Sequence, residues 1–141
     1  MLASQPAPLE TRRRCHAQVQ VCALGCCCGR TDRGKPPVPV DAIKAAWKAR
    51  GLMKPVQLTF TGCLGPCDLV NVVALLTSDG RTTWLGGLTD PAHFDAIVAW
   101  AEAVTLAGRP VPLPALLAPF RFERWHATPI ADVPLLPTAT P

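Results

Sequence analysis

Ala17, Val19 and Val21 alternate with Gln18 and Gln20, a period-two pattern that predicts a short strand ending at Cys22. A second alternation, Val56, Leu58 and Phe60 against Gln57 and Thr59, predicts another strand that delivers Gly62 and Cys63. Between them the period changes to that of a helix over 42–50. Asp41 stands in N-cap position, Gly51 suits the position after the C-cap, and Ile43, Ala46 and Trp47 form one apolar stripe with Leu52, while Lys44 and Lys48 face water. Trp47, lying on that stripe, reads as core rather than as a binding platform. A strand, a helix and a strand in succession predict a parallel pair joined by a right-handed crossover. Whatever follows each strand then emerges at the same edge of the sheet.

Beyond Cys67 the run Leu69 to Leu76 is apolar on both faces and predicts a buried strand; Ser78-Asp79-Gly80 turns it, and Thr82 to Leu85 return as the second arm of a hairpin. Thr89 or Asp90 caps a last helix with Pro91 in its first turn, and Phe94, Ile97, Val98, Ala101 and Val104 supply its buried stripe as far as Gly108. The expected fold is α/β (α+β): a mixed four-stranded sheet with two main helices and a Pro-rich C-terminal extension. In chain terms this is a flexible arm over 1–14, one domain over 15–108, and an extended tail over 109–141.

Of 16 prolines, eight follow Gly108, which argues against a helix or a central strand in the tail. Leu116, Leu117, Phe120, Phe122, Trp125 and Ile130 nevertheless make it too apolar for a free linker. It is expected to lie extended on the domain, in preference to serving as a peptide ligand for a partner.

No apolar run precedes Arg12-Arg13-Arg14, and no segment reaches the roughly 18 apolar residues of a membrane span, so a soluble, cytoplasmic protein away from membranes is expected. Seven cysteines, an odd number, argue in that compartment against a disulfide framework. The net charge of +4 is modest and its basic residues are scattered, which speaks against nucleic acid and leaves an acidic protein face as the alternative.

The thiols carry the chemistry. Cys22, Cys26, Cys27 and Cys28 follow the first strand, and Cys63 and Cys67 follow the second; Cys15 lies before the first strand and is incidental. Cys22 to Cys27 and Cys63 to Cys67 have spacings that permit zinc. Two features favour iron and sulfide instead. Gly25, Gly29, Gly62 and Gly65 let backbone N–H groups approach inorganic sulfides, and His16, His93 and His126 all lie outside the patches, leaving a set of soft thiolates. Spacing selects Cys27, with Cys26 or Cys28 as alternatives; the extra thiols are expected to stay protonated beside an anionic cluster. No Cys-x-x-Cys pair is present, which lowers a thiol-redox reading, and no phosphate loop, Ser/His/Asp order or paired carboxylates support a substrate-converting enzyme.

Val21-Cys22-x4-Cys27 followed by Gly62-Cys63-Leu64-Gly65-Pro66-Cys67-Asp68, in this order of elements, resembles the thioredoxin-like [2Fe-2S] ferredoxins and the related small subunit of bacterial NADH:quinone oxidoreductase. The resemblance covers about 17–105. It implies a thioredoxin-like fold in which Cys22 and Cys27 hold one iron and Cys63 and Cys67 the other. It further implies one-electron transfer between a reductase and an acceptor, a low potential near about −400 mV, and a homodimer. Arg30, Arg33 and Lys35 flank the site and are candidates for docking an acidic redox partner, or merely solvate their loop. The flanks Cys28 to Lys35 and Trp84-Leu85-Gly86-Gly87-Leu88 are similar to uncharacterised ferredoxin-like metal-binding proteins associated with cobalamin, which implies service to corrinoid metabolism. A structural zinc protein and a thiol-redox or metal-handling protein are the competing readings.

Overall fold

The computed structural model describes residues 6–127. Five strands, β1 (Ala17–Cys22), β2 (Val56–Thr61), β3 (Val73–Thr77), β4 (Thr82–Leu85) and β5 (Arg121–Phe122), form one sheet in the order β2-β1-β3-β4-β5. Only β1 and β2 are parallel, in register from Ala17 opposite Val56 to Cys22 opposite Thr61. β3 runs antiparallel to both β1 and β4, and β5 antiparallel to β4. The two alternating segments thus pair as expected, and their C-terminal ends lie side by side.

Helices α1 (Val40–Ala49) and α2 (Pro91–Ala107) pack against the sheet through one core. Val19, Val56, Val73 and Leu85 from the strands meet Trp47, Leu52, Ala101 and Val104, and all of these are buried. Trp47 is a core residue whose indole Nε1 donates to the carbonyl of Val56 at 2.8 Å, so its burial leaves no orphan donor. Asp90 caps α2: its carboxylate accepts from the Ala92 amide at 2.9 Å, while its own amide donates to Nδ1 of His93 at 3.2 Å, a reciprocal capping box.

Three details differ from the sequence reading. Pro39, not Asp41, stands at the N-cap of α1, because the carbonyl of Pro39 accepts the first helical bond, from Ile43 N at 3.0 Å; Asp41 falls in the first turn, where its charge still suits the helix N-terminus. The buried strand expected from Leu69 starts only at Val73, because Cys67–Leu69 wind into a 3-10 turn and Asn71 is occupied with bonds to other loops.

The third difference is in the sheet and tail. The sheet has five strands rather than four, and the tail contains a 3-10 helix, Ala115–Phe120, that accommodates Pro119. Two residues suffice for β5 because it adds to the open edge of β4, where Trp84 faces Phe122 and Leu85 faces Arg121. The docking itself follows the apolar composition of the tail. Leu117 is fully buried, Val111, Leu113 and Phe120 pack on the core, and Trp100 Nε1 donates to the carbonyl of Val111 at 2.9 Å. Ile130 lies outside the described residues.

If the tail belongs to the core in this way, Leu117→Ala lowers the unfolding free energy by about 2–4 kcal/mol in urea titrations, the usual cost of truncating a buried leucine. A loss below about 1 kcal/mol would mean that the segment contributes little to the folded domain.

Candidate metal centre

Parallel pairing leaves the segments after β1 and β2 at one edge of the sheet. The amides of Ala23 and Leu24 both donate to the carbonyl of Thr61 at 3.0 Å, which folds the first cysteine patch across the end of β2. The loops touch at Gly25, where an added Cβ would come within 2.7 Å of the Cys63 amide nitrogen. Any side chain there would push the two patches apart. Within the second patch, Gly65 adopts a φ of 116°, open to glycine but strained for other residues, and turns the chain so that Cys63 and Cys67 face each other.

All seven cysteines are free thiols. Five of them, Cys22, Cys27, Cys28, Cys63 and Cys67, line one narrow recess whose other walls are Leu64, Pro66 and Val72. Cys63 Sγ and Cys67 Sγ are 3.1 Å apart. Sγ of Cys67 also lies with those of Cys26 and Cys27 in a group spanning no more than 4.8 Å, and Cys26 and Cys27 are separated by 3.6 Å. Cys22 and Cys28 form the buried side; Cys22 Sγ donates to the carbonyl of Gly62 at 3.3 Å. Cys26 and Cys63 are exposed, and Cys15 precedes the far end of β1.

Crowding separates the acidities of these thiols. Burial, followed by the hydrogen bond with Cys22, pushes Cys28 from 9.0 up to about 12. Cys67 is likewise pushed up to about 12, first by its hydrogen bond with Cys63 and then by burial; that same bond lowers Cys63. Within the pair the first proton is therefore lost more readily from Cys63, the exposed sulfur, than from Cys67.

The structure thus brings Cys22, Cys27, Cys63 and Cys67 to a common recess. Of the two alternatives to Cys27, Cys28 lines the recess from its buried side, and Cys26 stands outside it next to Cys27. Gly25 and Gly65 shape the loops, and Gly62 supplies the acceptor for Cys22. Arg30 and Arg33 brace the cysteine loop: Arg30 forks onto Asp32 at 2.7 and 2.9 Å and reaches the Gly25 carbonyl, and Arg33 donates to the Cys26 carbonyl at 3.1 Å. Lys35 is exposed.

Asn71 is the residue that pattern reading passed over. It is wholly buried. Its Nδ2 donates to the carbonyls of Pro37 at 3.1 Å and Leu88 at 2.9 Å, and its Oδ1 accepts from the Gly29 amide at 3.2 Å. One side chain therefore ties the end of the cysteine patch to the proline loop and to the segment after β4. The available signal was its isolation, as the single amide within an apolar run.

No family model matches the chain, and no curated protein matches it. Among solved structures the chain is similar to thioredoxin-like [2Fe-2S] ferredoxin from Aquifex aeolicus. The wild-type structure is 21% identical over 79% of this chain and 100% of that one, with a TM-score of 0.47. A cysteine-to-serine variant of the same protein is 22% identical over 77% of this chain and 99% of that one, with a TM-score of 0.46.

Three outcomes follow from the geometry and acidities of the loops. Asn71→Ala leaves the Gly29 amide and the carbonyls of Pro37 and Leu88 without their partner, and lowers stability by about 2–3 kcal/mol in chemical denaturation; an unchanged midpoint would show that water replaces the amide. In metal-free protein at pH 8, iodoacetamide followed by peptide mapping labels Cys63 before Cys67, because only the former is shifted toward thiolate, and leaves Cys28 unmodified. Burying Cys28 as a neutral thiol raises its folded value above the unfolded one, so its contribution to stability is complete below about pH 9 and lost as pH rises toward about 12.

Proposed function

We infer that the chain is a one-electron carrier whose cofactor is a [2Fe-2S] cluster held by Cys22, Cys27, Cys63 and Cys67. The observation that supports this most is the convergence of five thiols from two parallel-strand loops on one recess that contains no histidine and no carboxylate. Such a donor set is soft and anionic, as iron-sulfur centres require, and the loops approach as closely as a missing Cβ at Gly25 permits. When bound, the cluster supplies reversible one-electron chemistry at a low potential.

The chain's own residues divide the remaining work. Leu64, Pro66 and Val72 wall the recess against water, and the buried, neutral Cys28 fills the space behind Cys22. Arg30 and Arg33 hold the backbone of the first patch through its carbonyls. The exposed Cys63 marks the side on which a reductase and an acceptor dock in turn, with Lys35 free to meet an acidic face. This reading makes the protein a carrier of a reducing compartment rather than a substrate-converting enzyme. Service to corrinoid metabolism rests on the sequence resemblance alone.

A structural zinc site is the second reading, favoured by the three sulfur atoms of Cys26, Cys27 and Cys67 that already lie within 4.8 Å of one another. Anaerobic purification decides between the two. A red-brown protein that bleaches with dithionite and contains iron and acid-labile sulfide supports the cluster; a colourless protein with stoichiometric zinc overturns it. For the ligand register, Cys27→Ser loses the metal while Cys26→Ser and Cys28→Ser retain it, and the opposite pattern reassigns the ligand.

A further inference from the structure

Arg124 lies in the tail, beyond the region of resemblance, and yet its guanidinium rests on the second cysteine loop. A Cβ built on Gly65, midway between Cys63 and Cys67, would fall 2.6 Å from Nη2 of Arg124, so glycine at this turn is what lets the cation approach. Two indoles hold it there. The guanidinium carbon is 5.6 Å from the ring of Trp84 and 5.3 Å from that of Trp125, and the two rings meet edge to face at 5.9 Å. The backbone beneath is fixed by the pairing of β5 with β4 and by the Gly86 amide, which donates to the Phe120 carbonyl at 2.9 Å. Gly86 is itself wedged: an added Cβ would come within 2.9 Å of Leu69 and 3.1 Å of Phe122, so tail and cysteine loop are packed through it.

Among the described residues no ion pair includes Arg124, and its Nε and the Nε1 of Trp84 are buried donors without an acceptor. A cation with no ion pair among the described residues, and with two thiols flanking the glycine it touches, calls for negative charge on the cysteine side. A dinuclear cluster with four thiolates is a dianion when both irons are ferric, and one-electron reduction makes it a trianion.

We propose that Arg124, held against the rings of Trp84 and Trp125, is the counter-cation of the cysteine site and sets its reduction potential upward by favouring the more negative state. It is a positioning and tuning residue, not a metal ligand, and this inference rests on the cluster reading above. At the separations of one loop and an intermediate effective dielectric, neutralising it shifts the one-electron equilibrium on the order of tenfold toward the oxidised form, which is a midpoint about 59 mV lower.

The test compares wild type, Arg124→Gln and Arg124→Lys as the purified full chain, measuring iron, sulfide and zinc content, melting temperature and midpoint potential by dye-mediated titration. Expected are equal metal content in all three, a lowered potential in Arg124→Gln, and a potential restored toward wild type in Arg124→Lys. Equal potentials in wild type and Arg124→Gln overturn the proposal, as do equally lowered potentials in both variants or loss of metal from both, which would assign Arg124 to packing. Should the wild type hold zinc, the cluster reading falls by metal analysis. The counter-cation is then read by chelator competition: Arg124→Gln must release zinc more readily and Arg124→Lys must not, and equal release overturns the counter-charge.

Discussion

The parallel pairing of β1 with β2 is the constraint on which both the core and the cysteine site depend. Its register places Val19 opposite Leu58 and Val21 opposite Phe60 while setting Cys22 opposite Thr61, the last pair before the two loops. A slip of one residue would turn the apolar set of β1 toward the other face and carry Cys22 away from Gly62 with it. The hydrophobic effect that selects the register therefore also selects the meeting of the thiols. β1 has no freedom to adjust, because β3 grips its other edge in a fixed antiparallel register.

Proximity of two strand ends does not by itself make a shaped site, since loops with several glycines and a proline-rich neighbour are entropically free to splay. Asn71 and Gly25 answer this in different ways. The wholly buried amide of Asn71 exchanges its hydration for three bonds to three separate segments, so movement of any one of them leaves a polar group of Asn71 unpaired. Gly25 works by exclusion, allowing main chain to lie against main chain where a side chain would intervene. Arg30 and Arg33 add bonds to carbonyls of the same loop, and on an exposed surface their worth lies more in fixing geometry than in stability.

The alternating segments, the hairpin and both helices were legible because each buries one face and so writes its period into the residue types. So was the turn that sets Cys63 against Cys67, a five-residue segment with a glycine at the position that needs one. The first patch was less legible. Cys26, Cys27 and Cys28 occupy an irregular loop where no period states which thiol faces inward, and it takes three dimensions to see Cys28 buried beside Cys22 and Cys26 exposed. β5 was invisible for another reason: a two-residue strand has no pattern of its own and exists because the edge of β4 was open to it. Asp41 looked like a cap because residue preference was taken without the approach of the chain, which Pro39 dictates.

Tail and site are usually separate matters in a domain of this size, one serving stability and the other chemistry. Here the smaller of the two apolar clusters among the described residues joins them. It contains Cys22, Cys28 and Val72 from the cysteine side, and Trp84 and Phe122 pack against it from β4 and β5. Phe122 can reach that cluster only because Leu117 and Phe120 have already anchored the tail to the main core, and the tilted contact of Trp84 with Phe122 at 6.0 Å then orients the indole beneath Arg124. The order of dependence runs from apolar burial in the tail, through a two-residue strand, to the placement of one cation beside the thiols. A segment with little regular structure is thereby fixed in place, because it is paired to the sheet on one side and wedged against the cysteine loop at Gly86 on the other.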